Sequence, residues 1–157
     1  MDLQRLNRGE LIAAAGGALL AISIFLPWYS LGNRFANVGS CKNSAQHTDT
    51  MCSAWNALTA LPYLFLLGAV APIILAWIIA RGHALAWPRG ELTAVVAVIA
   101  LILTVFLGLV DKPGSPPGQI SVTWGWGVAM AGGLLMLAGA VWRSQESAPR
   151  RKPPGVL

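Results

Sequence analysis

The chain has 157 residues, of which 55% are hydrophobic and 11% charged, with a formal net charge of +5. Soluble domains carry about 25% charged residues, so this composition excludes a disordered chain and argues against an ordinary soluble domain, while the length suits one domain. The isoelectric point near 9.9 does not point to nucleic acid, because the basic residues are few and sit at the ends of apolar runs.

The charges act as punctuation. Residues 1–10 form a short basic tail with Arg5 and Arg8. From Leu11 to Leu31 no charged residue occurs, and this first apolar run is read as a membrane span. Its length exceeds a secretory h-region, and Pro27-Trp28-Tyr29 stands where small residues should mark cleavage, so the run is expected to be retained. Residues 32–57 form the larger outer loop. The second span is placed at Leu58–Ala80, the third at Leu92–Val110 and the fourth at Val122–Trp142. A helix rises about 1.5 Å per residue and the hydrocarbon core is about 30 Å thick, so each run can cross. Helix is expected throughout, since a lone strand in lipid leaves its backbone groups unpaired. The fold class is therefore an all-α membrane protein, a four-helix transmembrane domain over residues 11–142. Residues 143–157 follow as a basic, mobile tail.

Four spans place both termini on one side. With the tails and the Arg81–Glu91 loop inside, that side holds Arg5, Arg8, Arg81, Arg89, Arg143, Arg150, Arg151 and Lys152. The outer side holds Arg34, Lys42 and Lys112, so the positive-inside rule puts both termini in the cytoplasm of a plasma membrane. Arg150, Arg151 and Lys152 are expected to lie against anionic headgroups. Trp28, Trp55, Trp124 and Trp126 fall near outer span ends, and Trp77, Trp87 and Trp142 near inner ends. Both sets suit the membrane interfaces.

Cys41 and Cys52 both lie in the outer loop, which in an oxidising compartment reads as a disulfide. Free thiols, or a metal site made with His47 and Asp49, are the alternatives; the spacing matches no standard zinc pattern. Pro72, in the second span, lacks an N–H and opposes the Gly68 carbonyl, which predicts a kink. Ala13, Gly17 and Ala21 on the first span, and Gly125, Ala129 and Gly133 on the fourth, form small-residue stripes for close helix packing. That packing is read first as internal and second as a dimer seam.

Arg8-Gly9-Glu10-Leu11 recurs as Arg89-Gly90-Glu91-Leu92, an offset of 81 that also aligns Ala13 with Ala94, Leu20 with Leu101, and Phe25-Leu26 with Phe106-Leu107. Each copy opens an inside-to-outside span, as in a parallel duplication; convergence on a shared helix-start chemistry is the alternative. Ser23 and Thr104 also coincide at this offset. Like Ser30, Thr59 and Thr123, they are expected to bond backbone carbonyls one turn back. The proline- and glycine-rich stretch from Asp111 to Ser121 reads as turn chemistry.

No span contains an ionisable residue of the kind pumps and proton-coupled carriers place at depth. No nucleophile elbow, phosphate loop or zinc-protease helix occurs. His47 and His83 stand apart, His83 as a solvated or headgroup contact. Leu26-Pro27-Trp28-Tyr29, Ala54-Trp55-Asn56-Ala57 and Asp111-Lys112-Pro113-Gly114 together resemble the small four-helix membrane proteins that abound in actinobacterial genomes. That resemblance implies location and fold and no particular activity. The layout is also loosely similar to claudins: four spans and a cysteine pair in the larger first outer loop. Claudins place a Trp-containing motif before the cysteines, whereas Trp55 follows Cys52 here.

The expected role is a non-catalytic accessory, scaffold or assembly subunit without cofactor or metal. Its partners would be lipids and a membrane protein or further copies of itself. The alternatives are a permease or oligomeric channel for a small neutral solute or lipid, and an outer-face enzyme using His47 and Asp49.

Overall fold

A computed structural model describes residues 8–33, 35–42, 50–81, 89–116 and 118–147. Helix α1 spans Arg8–Ser23 and leads through a tight turn into strand β1, Pro27–Leu31. A short hairpin follows, β2 at Asn37–Val38 and β3 at Cys41–Lys42. Strand β4, Met51–Ser53, runs into the single-turn helix α2, Ala54–Ala57. The long helix α3 covers Leu61–Ala80, and α4 covers Arg89–Val105 with a π-helical continuation at Phe106–Val110. Strand β5, Ile120–Val122, precedes the last helix, α5, Trp124–Ser147.

Among the described residues, three stretches are long and apolar enough to cross a membrane: Leu61–Ile79, Gly90–Val110 and Trp124–Gln145, of 19, 21 and 22 residues. Helix α1 has 16 residues, shorter than those three.

The first apolar run corrects the all-helical expectation. Its last five residues, Pro27–Leu31, are the central strand of a three-stranded antiparallel sheet ordered β4-β1-β5. Proline disfavours helix for the residue before it and supplies no N–H. The chain accordingly closes α1 with i→i−3 bonds, Phe25 N–H to Ile22 O at 3.1 Å and Leu26 N–H to Ser23 O at 3.0 Å. The register against β4 slips between Pro27 and Tyr29, and β1 pairs regularly with β5 from Tyr29↔Val122 to Leu31↔Ile120. A bulge at the start of the strand is where a sheet tolerates proline. The segments around β1 are thus a small folded layer on the bundle, tied to the helix ends by hydrogen bonds. Trp55 N–H bonds Ile24 O at 3.0 Å, Thr123 N–H bonds Trp28 O at 2.8 Å, and the Thr123 hydroxyl donates to Pro27 O.

The core lies where the sheet meets the outer half of the bundle. Trp28, Tyr29, Leu31, Leu20, Ile24 and Met136 are fully buried there. Below it, helices approach through glycine. An added Cβ at Gly16 would sit 2.7 Å from Gly132 O, and one at Gly9 2.8 Å from Gly139 O. Gly17 meets the Ala69 carbonyl and the ring of Pro72, so α1 crosses α3 at the proline. Helix α3 continues unbroken past Pro72, which is buried.

Candidate functional site

The sheet and its flanking turns hold the cysteine pair together with Trp28 and Trp55. Cys41 and Cys52 form a disulfide, with Cα atoms 6.0 Å apart, that ties β3 to β4. Both thiols are consumed, which removes the free-thiol and metal alternatives for them. Among the described residues no group of three or more His, Cys, Asp or Glu is placed to hold a metal. His47, Asp49 and Arg34 lie outside the described residues, as do His83, Trp87, Arg5, Arg150, Arg151 and Lys152.

The hairpin turns at Gly39-Ser40, with Gly39 at φ +56°. This is the first-position glycine of a type II′ turn. Ser40 holds the tip down by donating from its N–H and hydroxyl to Asn56 O, at 2.9 and 3.1 Å. The second outer loop joins it: Asn37 and Ser115 exchange both backbone bonds, at 2.9 and 3.0 Å. The stretch 111–121, expected as simple turn chemistry, therefore also contributes a bridge to the hairpin and most of β5. On this pinned layer Phe35 and Met51 project to 77% and 63% exposure. An aromatic cluster lines its rim, where Trp55 stacks on Phe25 at 5.4 Å and meets Tyr63 edge-on at 5.2 Å.

The tryptophans divide into two groups. Trp55, Trp77, Trp124 and Trp142 are exposed, and the Arg81 guanidinium lies 4.2 Å over the Trp77 ring. Trp28 and Trp126 turn into the protein, Trp28 fully buried and Trp126 partly so. Trp28 is fully buried, packs edge-on against Phe65 at 5.6 Å and donates to Ser23 O at 2.8 Å. Trp126 donates to Thr104 O at 2.7 Å, and its ring covers Gly108 so closely that any Cβ there would fall inside it. Ser23 and Thr104 in turn bond back to Leu20 O at 2.6 Å and Ala100 O at 2.7 Å. At both positions the hydroxyl bonds the turn below while an indole takes the carbonyl above.

The π-helical segment belongs to the same arrangement. A π turn shifts the backbone ladder by one residue, as in Asp111 N–H to Phe106 O at 2.8 Å. Side chains satisfy two carbonyls of this region: Trp126 takes that of Thr104, and the Tyr29 hydroxyl takes that of Leu107 at 3.1 Å. Burial, and secondarily the Asp111 carboxylate, push the Tyr29 phenol above its usual range, so it remains a donor.

The small residues serve several neighbours. Ala13 packs on Gly139, Ala21 against the core, Gly125 under the Pro27 backbone, and Gly133 on Leu101 of α4, while Ala129 is buried. Gly133 thus fills a seam within the chain. The α1–α5 seam also draws on Gly9, Gly16, Gly132 and Gly139, which the four-residue stripes left out. The adjacent pairs Gly16-Gly17 and Gly132-Gly133 were the available signal. Neighbouring helix positions point about 100° apart, and a glycine doublet lets one helix be approached closely from two sides. Gly90 rests on Ala140 O as Gly9 rests on Gly139 O, so the two Arg-Gly-Glu-Leu openings approach α5 alike. Their acids differ. Glu91 is exposed, whereas Glu10 is buried and pairs with Arg143 at 2.8 Å.

The chain matches no family model, no curated protein and no solved structure.

Proposed function

We propose that this chain is a multi-pass protein of the plasma membrane. It acts as a non-catalytic accessory, scaffold or assembly subunit that presents its disulfide-pinned outer layer to a membrane-protein partner. Helices α3, α4 and α5 cross by length and composition. Helix α1 is taken as a fourth span: its 16 residues reach about 24 Å at helical rise, and the turn that follows carries the chain on into the sheet. Both termini then lie in the cytoplasm, where Arg8, Arg81 and Arg143 cluster by chain position.

The observation that carries the reading is the outer layer itself. A loose connection between spans needs neither a sheet, nor a disulfide, nor main-chain bonds between its two outer loops. This layer has all three, and it holds Phe35 and Met51 out on a fixed support. Exposed apolar side chains gathered on a fixed platform are a usual mark of protein contact.

The test is site-directed photo-crosslinking in intact cells. A photoreactive residue at Phe35 or Met51 should capture one discrete protein species, and the same residue at the outward-facing Leu134 should not. Replacing Cys41 and Cys52 with Ser should weaken capture several-fold, because the disulfide contributes roughly 2–3 kcal/mol to a loop of this size. A protein that stays monomeric and captures only lipid from Phe35 and Met51 would contradict the reading.

A further inference from the structure

Three of the four seams between long helices close on glycine; the fourth stays open. Helix α1 meets α5 and α3 with glycine against backbone, and α5 meets α4 through Gly133 and Gly90. Between α3 and α4 a Cβ on Gly68 would lie 3.1 Å from a side-chain atom, Val96 Cγ1, and meet no backbone. A crevice of about 190 Å³ remains there, with Leu64, Phe65, Ala71, Ile99 and Leu103 among its walls, and every lining residue is apolar.

We propose that this crevice holds one acyl chain of an outer-leaflet phospholipid. The proposal rests on the membrane placement argued above. Both walls belong to helices long enough to cross. Helix α3 descends from its outer end at Leu61 and α4 rises to its outer end at Val110. Residues 64–71 of α3 therefore run from near its outer end to its middle, and residues 96–103 of α4 straddle its middle, within reach of an outer-leaflet chain. A cavity with purely apolar walls stays dry, so it offers no path to a polar solute. Lipid is the solvent at that depth, and the open seam faces it. Lys112 is exposed immediately beyond the outer end of α4, which supplies a cation at the level of the phosphates. From Ile99 to Val110, where the helix ends, the rise is about 16 Å, and Lys112 lies two residues further on. Asp111 beside Lys112 is exposed too, so the occupant carries both charge signs at the top, as a zwitterionic headgroup does, and hydrocarbon below.

The full chain, reconstituted in dioleoylphosphatidylcholine vesicles and released in mild detergent, is weighed by native mass spectrometry. One phosphatidylcholine retained per chain is expected. Ala71→Phe, which fills the crevice, should lower the retained fraction about ten-fold, a change of one decade in affinity. Ile102→Phe, on an outward face of α4, should leave it unchanged. Gly68→Leu fills the same space from another position and serves where Ala71→Phe does not reconstitute. Equal retention by the wild type and the crevice variants, or none by the wild type, overturns the proposal. A wild-type chain that does not enter the vesicles contradicts the membrane placement, and the lipid site falls with it.

Discussion

At the residue scale, two buried polar arrangements hold this molecule together, and both are sensitive to single changes. The first is Trp126 over Gly108, with the indole on the Thr104 carbonyl. Trp126→Phe keeps most of the packing but leaves that carbonyl without its indole donor, which costs about 1–3 kcal/mol when the site stays dry. Gly108→Ala should do at least as much damage by displacing the ring. Both changes are read from thermal unfolding in detergent, and G108A should also red-shift the tryptophan emission. The second arrangement is the Glu10–Arg143 pair at the inner end of α1 and α5. Its Glu10 carboxylate is 7% exposed, and Oε2 has no hydrogen-bond partner. Removing one member of a buried pair strands the other charge and costs about 3–5 kcal/mol, whereas replacing both with apolar residues is often near neutral. Glu10→Leu should therefore destabilise strongly, and Glu10→Leu with Arg143→Leu should recover most of the loss. Additive losses in the double variant would show that the two residues act separately. Neither arrangement was legible in the sequence. Thr104 and Trp126 are 22 residues apart, and nothing in their spacing reveals that one carbonyl faces one indole.

At the element scale, the apolar runs were readable because charge is nearly absent between their ends, and the three longest helices fall on runs marked out that way. The first run shows where such reading stops. Trp28, Tyr29 and Leu31 are as apolar as the helix before them, so composition does not separate strand from span. The break is written in Pro27 alone, and its outcome depends on partners from β4 and β5 that are distant in sequence. The π segment is equally silent, since the indole and phenol that meet it come from α5 and β1. The small-residue stripes were visible, but their assignment to neighbours was not, because a stripe says a face is narrow and does not say what fills it. The glycine doublets make this testable. Gly133→Leu should push α5 off Leu101 and Gly17→Leu should push α1 off Ala69 and Pro72. Each should lower stability by about 1–3 kcal/mol as overpacking, without changing oligomer size on size exclusion. A shift in oligomer size with unchanged unfolding would instead place Gly133 at a contact between copies.

At the scale of the whole molecule, the structure is a helical bundle with one end closed by a sheet and a disulfide and the other by an ion pair. The orientation assigned to it follows from the placement of a few arginines and lysines, and it puts Lys112 outside and Ser144 inside. The native cysteines are bonded to each other, so a single introduced cysteine can report topology in an otherwise unreactive chain. The most direct measurement is labelling of intact cells with a membrane-impermeant maleimide. Lys112→Cys should label at once, and Ser144→Cys, equally exposed in the structure, should label only after the membrane is opened. Labelling of both positions in intact cells, or recovery of the chain in the soluble fraction, would contradict the account.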